Sequence, residues 1–90
     1  MTEQQFRAQL AQRAFSAPVR VQRDPNTRLA HHAHPFEAMA LIVAGDITIT
    51  TAAGAVTYTA GEVFHLPANE AHEEAFGPQG VVYLAGRKAP

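Results

Sequence analysis

The sequence predicts an all-β domain, an antiparallel sandwich or barrel led by one short helix. Two patterns carry this. Between Val19 and Ala85 the chain reads as seven or eight short segments rich in β-formers, such as Ile47-Thr48-Ile49-Thr50. Turn residues separate these segments every eight to twelve positions, among them Asp24-Pro25-Asn26, Gly61-Glu62 and Gly77-Pro78-Gln79-Gly80. That rhythm belongs to small all-β folds.

The helix comes first. Thr2 is placed to cap it, and Glu3 in its first turn suits the positive end of the helix dipole. Phe6, Leu10 and Ala14 recur at spacing four and form one narrow apolar stripe over about three turns. Ser16-Ala17-Pro18 ends it, because proline lacks an N–H and restricts its predecessor. The stripe predicts docking onto a sheet or a second subunit. Residues 1–17 form this helix and its linker, and residues 18–90 form the β domain.

Residues 19–22 alternate apolar and polar, a short half-buried strand. Residues 28–34 form the second strand, with Arg28, Ala30, His32 and His34 on one face and Leu29, His31 and Ala33 on the other. The small alanines leave room beside the histidines. Pro35 interrupts pairing. Residues 38–44 are apolar on both faces, as in a strand covered on each side. After Gly45-Asp46, residues 47–51 alternate again. Ala52-Ala53-Gly54 is a hairpin connection to residues 56–60. Residues 63–66, 72–76 and 81–85 complete the strands.

Composition narrows the function. Ninety residues make one domain. A net charge of −1 and a pI near 6.5 give no electrostatic case for nucleic acid or an anionic membrane. The absence of cysteine excludes disulfides and thiolate metal sites, so any metal is held by nitrogen and oxygen. The N-terminus lacks the basic and apolar regions of a signal peptide, and no apolar run approaches bilayer length, so a cytoplasmic protein is expected. A core this small gains from a partner subunit, which predicts a homodimer.

Three of the five histidines lie in His31-His32-Ala33-His34. On a strand His32 and His34 project to one face and can hold one metal ion. His72 follows the turn-like Pro67-Ala68-Asn69-Glu70-Ala71 and is a third donor. His31 has the wrong parity to join them. His65 reads as cavity lining or as a structural histidine near Pro67. Phe36, Met39, Phe64, Tyr58, Phe76 and Tyr83 read as core or cavity wall, with Phe36, Met39, Phe64 and His65 the candidates for ligand contact. Glu62, Glu73 and Glu74 read as solvated surface. Arg20 and Arg28, the cations on the predicted strands, either snorkel to water or turn inward to hold an anion.

These residues resemble the cupin superfamily. Its first motif runs glycine, five residues, His-x-His, three or four residues, glutamate, six residues, glycine. Asn26, His32-Ala33-His34 and Gly45 follow that spacing. The second runs glycine, five residues, proline, x, glycine, two residues, histidine, three residues, asparagine. Gly61, Pro67 and His72 match, while Asn69 stands for the internal glycine and Phe76 for the final asparagine. The resemblance spans about residues 24–76 and implies a single antiparallel β-barrel of jelly-roll topology. It also implies a site for a divalent transition metal (iron, zinc, nickel or copper) at His32, His34 and His72, a small-molecule ligand and a homodimer.

The family's ligating glutamate would fall on Ala38, whereas Glu37 sits one place early. Either a bulge at Pro35-Phe36 re-aims Glu37 toward the metal, or the site holds three histidines alone. Strand parity favours the second. Two functions then fit. One is a metal-dependent enzyme for oxygenation or isomerisation of a small molecule. The other is a binding or sensing module whose metal is structural or absent.

Overall fold

A computed structural model describes residues 1–89. One helix, α1 (Glu3–Gln12), precedes six strands: β1 (Val19–Arg23), β2 (Arg28–His32), β3 (Glu37–Thr51), β4 (Gly54–Thr59), β5 (Val63–Leu66) and β6 (His72–Lys88). All strand pairs are antiparallel.

β3 and β6 span 15 and 17 residues, and each serves two layers. Residues 37–45 of β3 pair with residues 81–88 of β6, flanked by β5 and β1. Residues 47–50 of β3 pair with residues 73–76 of β6, flanked by β4 and β2. The eight pairing segments make a jelly roll. The expected strands are present, but Gly45-Asp46 and residues 77–80 are corners inside continuous strands rather than strand ends. Register shifts at Ile42/Ala44 and Gly45/Ile47 mark the bend.

Backbone geometry at the corners explains several residue choices. Gly45 has φ +75°, and a Cβ there would run into the Gly80 carbonyl. Asn26 and Asn69 have φ +55° and +65°, so both asparagines occupy left-handed positions where the family motif carries glycine.

The core between the layers includes Ile42, Ile47, Phe64, Phe76, Val81 and Tyr83. A second cluster lies outside the first layer, where Phe6 and Leu10 of α1 cover Met39, Leu41 and Leu84. Strand alternation therefore sends 38, 40 and 42 inward and 39 and 41 toward the helix. Both faces are covered at residues 39–42, but Val43 is 48% exposed, so the two-sided burial stops earlier than residue 44.

Thr2 caps α1 through a capping box with Gln5. The helix ends at Gln12, earlier than expected, because Ala14 adopts φ +61°. Ala14 is exposed, and Phe15 takes the stripe position assigned to it. Mutual hydrogen bonds between Ser16 and Arg87 then fasten the linker to β6.

Gly45→Ala combines a disfavoured φ with a backbone collision, so it is expected to lower stability by at least about 2 kcal/mol. Urea denaturation measures this, and an unchanged midpoint would contradict the corner geometry.

Candidate metal centre

The site forms where the end of β2 meets the start of β6. His32 is the cross-strand partner of His72. A register shift between Leu29 and His32 turns both of these residues inward. This overturns the regular alternation read from the sequence, which set Leu29 on the opposite face. Ala30 and Ala33 are exposed and do not shape the cavity. β2 stops at His32, so His34 lies just past it rather than within a strand reaching residue 34. Its carbonyl accepts from the Asn69 N–H at 2.6 Å, which joins the two histidine-bearing segments.

One ring nitrogen from each of His32, His34 and His72 lies within 4.8 Å of the others. His72 is 1% exposed, while His32 and His34 are half-buried. His32 Nδ1 lies 2.6 Å from the Ala30 carbonyl and His72 Nδ1 lies 3.0 Å from the Glu70 carbonyl. A carbonyl only accepts, so Nδ1 donates in both rings and Nε2 of the neutral imidazole presents a lone pair to the interior. His34 is held differently. Its ring stacks on Phe36 at 4.9 Å and 19°, and the Arg87 guanidinium covers Phe36 at 4.5 Å from the ring centre. Burial, then the charges that His32 and His72 carry when protonated, hold the His34 pKa below the ordinary imidazole value.

Glu74 is 6% exposed, not on the solvated surface as its neighbours suggested. Its Oε2 lies 3.1 Å from His32 Nε2 and 3.2 Å from His72 Nε2. Two imidazole lone pairs and a carboxylate oxygen thus converge where both Nδ1 protons are already committed. A cation at this point satisfies the lone pairs and the carboxylate together, so the residues present fit a divalent ion.

Glu37 does not join them. It points outward and accepts from His65 Nε2, with Arg13 Nη2 at 3.8 Å. That hydrogen bond, then the nearby cations, holds its carboxyl below the usual range. No bulge at Pro35-Phe36 re-aims it, and Ala38 occupies the inward position. His65 and Met39 are also outside the cavity. Each sits one residue out of phase with the inward pairs Phe64/Leu66 and Ala38/Ala40, and Met39 is buried beneath α1. His31 is exposed.

Beneath the histidines lies a cavity of about 120 Å³ walled by Val21, Leu29, Phe64, Leu66 and Tyr83, with Phe36 near the ring. All four strand arginines are exposed, but Arg23 and Arg87 line the cavity, whereas Arg20 and Arg28 do not. Three contributors were missed from the sequence. Alternation from His72 reaches Glu74, alternation from Val21 reaches Arg23, and alternation from Tyr83 reaches Arg87. Ending β1 at residue 22 and β6 at residue 85 hid the two arginines.

A sequence model of the Cupin domain family matches residues 19–76, which hold all three histidines. The chain belongs to the cupin domain family. No curated protein sequence matches this cupin. Solved structures similar to it include a cupin superfamily protein of Desulfitobacterium hafniense, at 17% identity and a TM-score of 0.70, covering 79% of this chain. The present chain spans 64% of that protein's length. A protein of unknown function from Rhizobium leguminosarum is similar over 94% of this chain and 92% of its own, at 14% identity and a TM-score of 0.73. An oxalate decarboxylase of Lactobacillus farciminis, solved as a formate complex, is 23% identical with a TM-score of 0.71, over 83% of this chain and 25% of its own. These likenesses establish a shared fold. No helix among the described residues is long and apolar enough to cross a membrane.

Tyr83 provides a solution check on the cavity. Burial, then the Glu74 charge, raises its phenol pKa above the ordinary value, against an opposing pull from Arg23. A raised folded-state value means stability is present below pH about 10 and is lost as pH rises toward the raised value. In a Tyr58→Phe background, ultraviolet titration is expected to show the remaining phenol ionising later than a free tyrosine. Ionisation at or below the free value would contradict the buried placement.

Proposed function

We propose that this cupin binds one divalent transition ion through His32, His34 and His72 and uses it to hold a small molecule at the cavity mouth. One observation carries the reading: two Nε2 lone pairs are locked inward by backbone carbonyls, with a third imidazole beside them. An ion so held, when bound, polarises a coordinated carbonyl or acidifies a coordinated water. The chain's own residues orient the ligand. The cavity is small compared with common ligand sites of roughly 300–1,000 Å³, so the ligand has few atoms. Arg23 and Arg87 favour an anionic head such as a carboxylate.

The alternative is a non-catalytic binding or sensing cupin, and one observation favours it. Once His32, His34 and His72 hold an ion, no carboxylate or imidazole among the described cavity residues stands free as a base, because Glu74 faces His32 and His72 and burial raises the Tyr83 pKa. Any reaction would then draw its chemistry from the ion. Two chains would pair through an exposed edge, where β1 leaves Val19 66% exposed. Light scattering at micromolar concentration tests this, and a stable monomer would end it.

Elemental analysis of protein purified without a histidine tag or chelator is expected to find about one transition ion per chain, and none in the His32→Ala, His34→Ala double variant. Wild-type protein that cannot be loaded with iron, zinc, nickel or copper would contradict the reading. Phe36→Leu removes the stack behind His34 and is expected to weaken zinc affinity about 10-fold by calorimetry. Unchanged affinity would show that the stack does not position the ligand.

A further inference from the structure

We propose that Glu74 is a fourth ligand to the same ion, so that the centre has three nitrogen donors and one oxygen donor. This rests on the metal-centre reading above. The burial of Glu74 and its spacing from the histidines support it. Glu74 is buried and its carboxylate faces the histidines. One oxygen, Oε2, makes both close approaches, 3.1 Å to His32 Nε2 and 3.2 Å to His72 Nε2. Adjacent donors on one transition ion, with bonds of about 2.1 Å, lie roughly 3 Å apart. The observed spacing is therefore that of co-ligands as well as of hydrogen bonds.

Hydrogen bonding is the competing account, and the ring protons argue against it. Each neutral imidazole has one N–H, and both are aimed at carbonyls, Ala30 for His32 and Glu70 for His72. Nothing remains to donate to Oε2 unless an extra proton is taken up. A cation at this point satisfies both lone pairs and the carboxylate together.

The local sequence makes the placement a matter of strand geometry. His72 and Glu74 are two residues apart on β6, so both side chains project to one face. Ala38 faces the same cavity and contributes only a methyl group. A carboxylate ligand lowers the net charge of a bound divalent ion by one and hardens the donor set, which suits iron or zinc better than cuprous copper.

The test compares wild type with Glu74→Gln and Glu74→Ala, titrated with Co²⁺ and read by calorimetry and by the cobalt absorption spectrum. Glu74→Gln preserves shape and removes the anionic donor. The expected result is at least about 10-fold weaker Co²⁺ binding in both variants, with altered cobalt bands and no loss of metal-free thermal stability in Glu74→Gln. Wild-type binding that the variants match within about twofold, with an identical spectrum, would overturn the Glu74 assignment while leaving the histidine centre intact. No Co²⁺ binding by wild type would overturn the centre itself. A measurement that needs neither variant uses Zn²⁺ and infrared difference spectroscopy in a Glu37→Gln background. One carboxylate stretch is expected to shift on binding, and its absence would overturn the proposal.

Discussion

β3 and β6 each pass through both layers of the barrel, and every feature of the site depends on that continuity. A strand alternates its side chains without exception unless a bulge intervenes. Through its first half β6 therefore presents His72 and Glu74 to the interior, and through its second half Tyr83 and Arg87. The corner between the halves demands close backbone approach at Gly45 and Gly80, where no Cβ fits at Gly45. A polar rim and an apolar wall thus lie on one strand, facing one cavity.

Polar burial in so small a barrel is costly, and the structure meets that cost unevenly. His32 and His72 are orientated by carbonyls of their own neighbouring backbone, which fixes the ring tautomer as well as the angle. His34 has no such partner among the described residues, and the Phe36–Arg87 stack confines it instead. On the outer face Glu37 and His65 satisfy each other and take no part in the centre. A carboxylate one residue out of phase hydrogen-bonds to an outer-face imidazole instead.

Much of the fold was legible because turn chemistry and alternation are local signals. Asn26, Gly45, Gly61 and Asn69 marked turns and motif positions, and all four have positive φ. His32, His34 and His72 were legible through parity and motif spacing, and the same parity separated Glu37 from them. The failures have physical causes too. The inward turn of Leu29 needs a bulge that nothing in residues 29–32 announces. Met39 looked like cavity wall because sequence cannot tell which apolar face meets the barrel and which meets α1. Glu74 looked like surface because a buried carboxylate is recognisable only once its partners are in place. The arginines at positions 23 and 87 lay beyond strand ends drawn too early, and strand boundaries are set by pairing partners rather than by the residues themselves.

Anomalous diffraction at the metal edge, from crystals grown with Zn²⁺ or Co²⁺, addresses the central claim directly. The account predicts one strong peak in bonding contact with a ring nitrogen of each of His32, His34 and His72, at the mouth of the cavity. Metal-saturated crystals with no peak there, or with the ion held instead by Glu37 and His65 on the outer face, would contradict it.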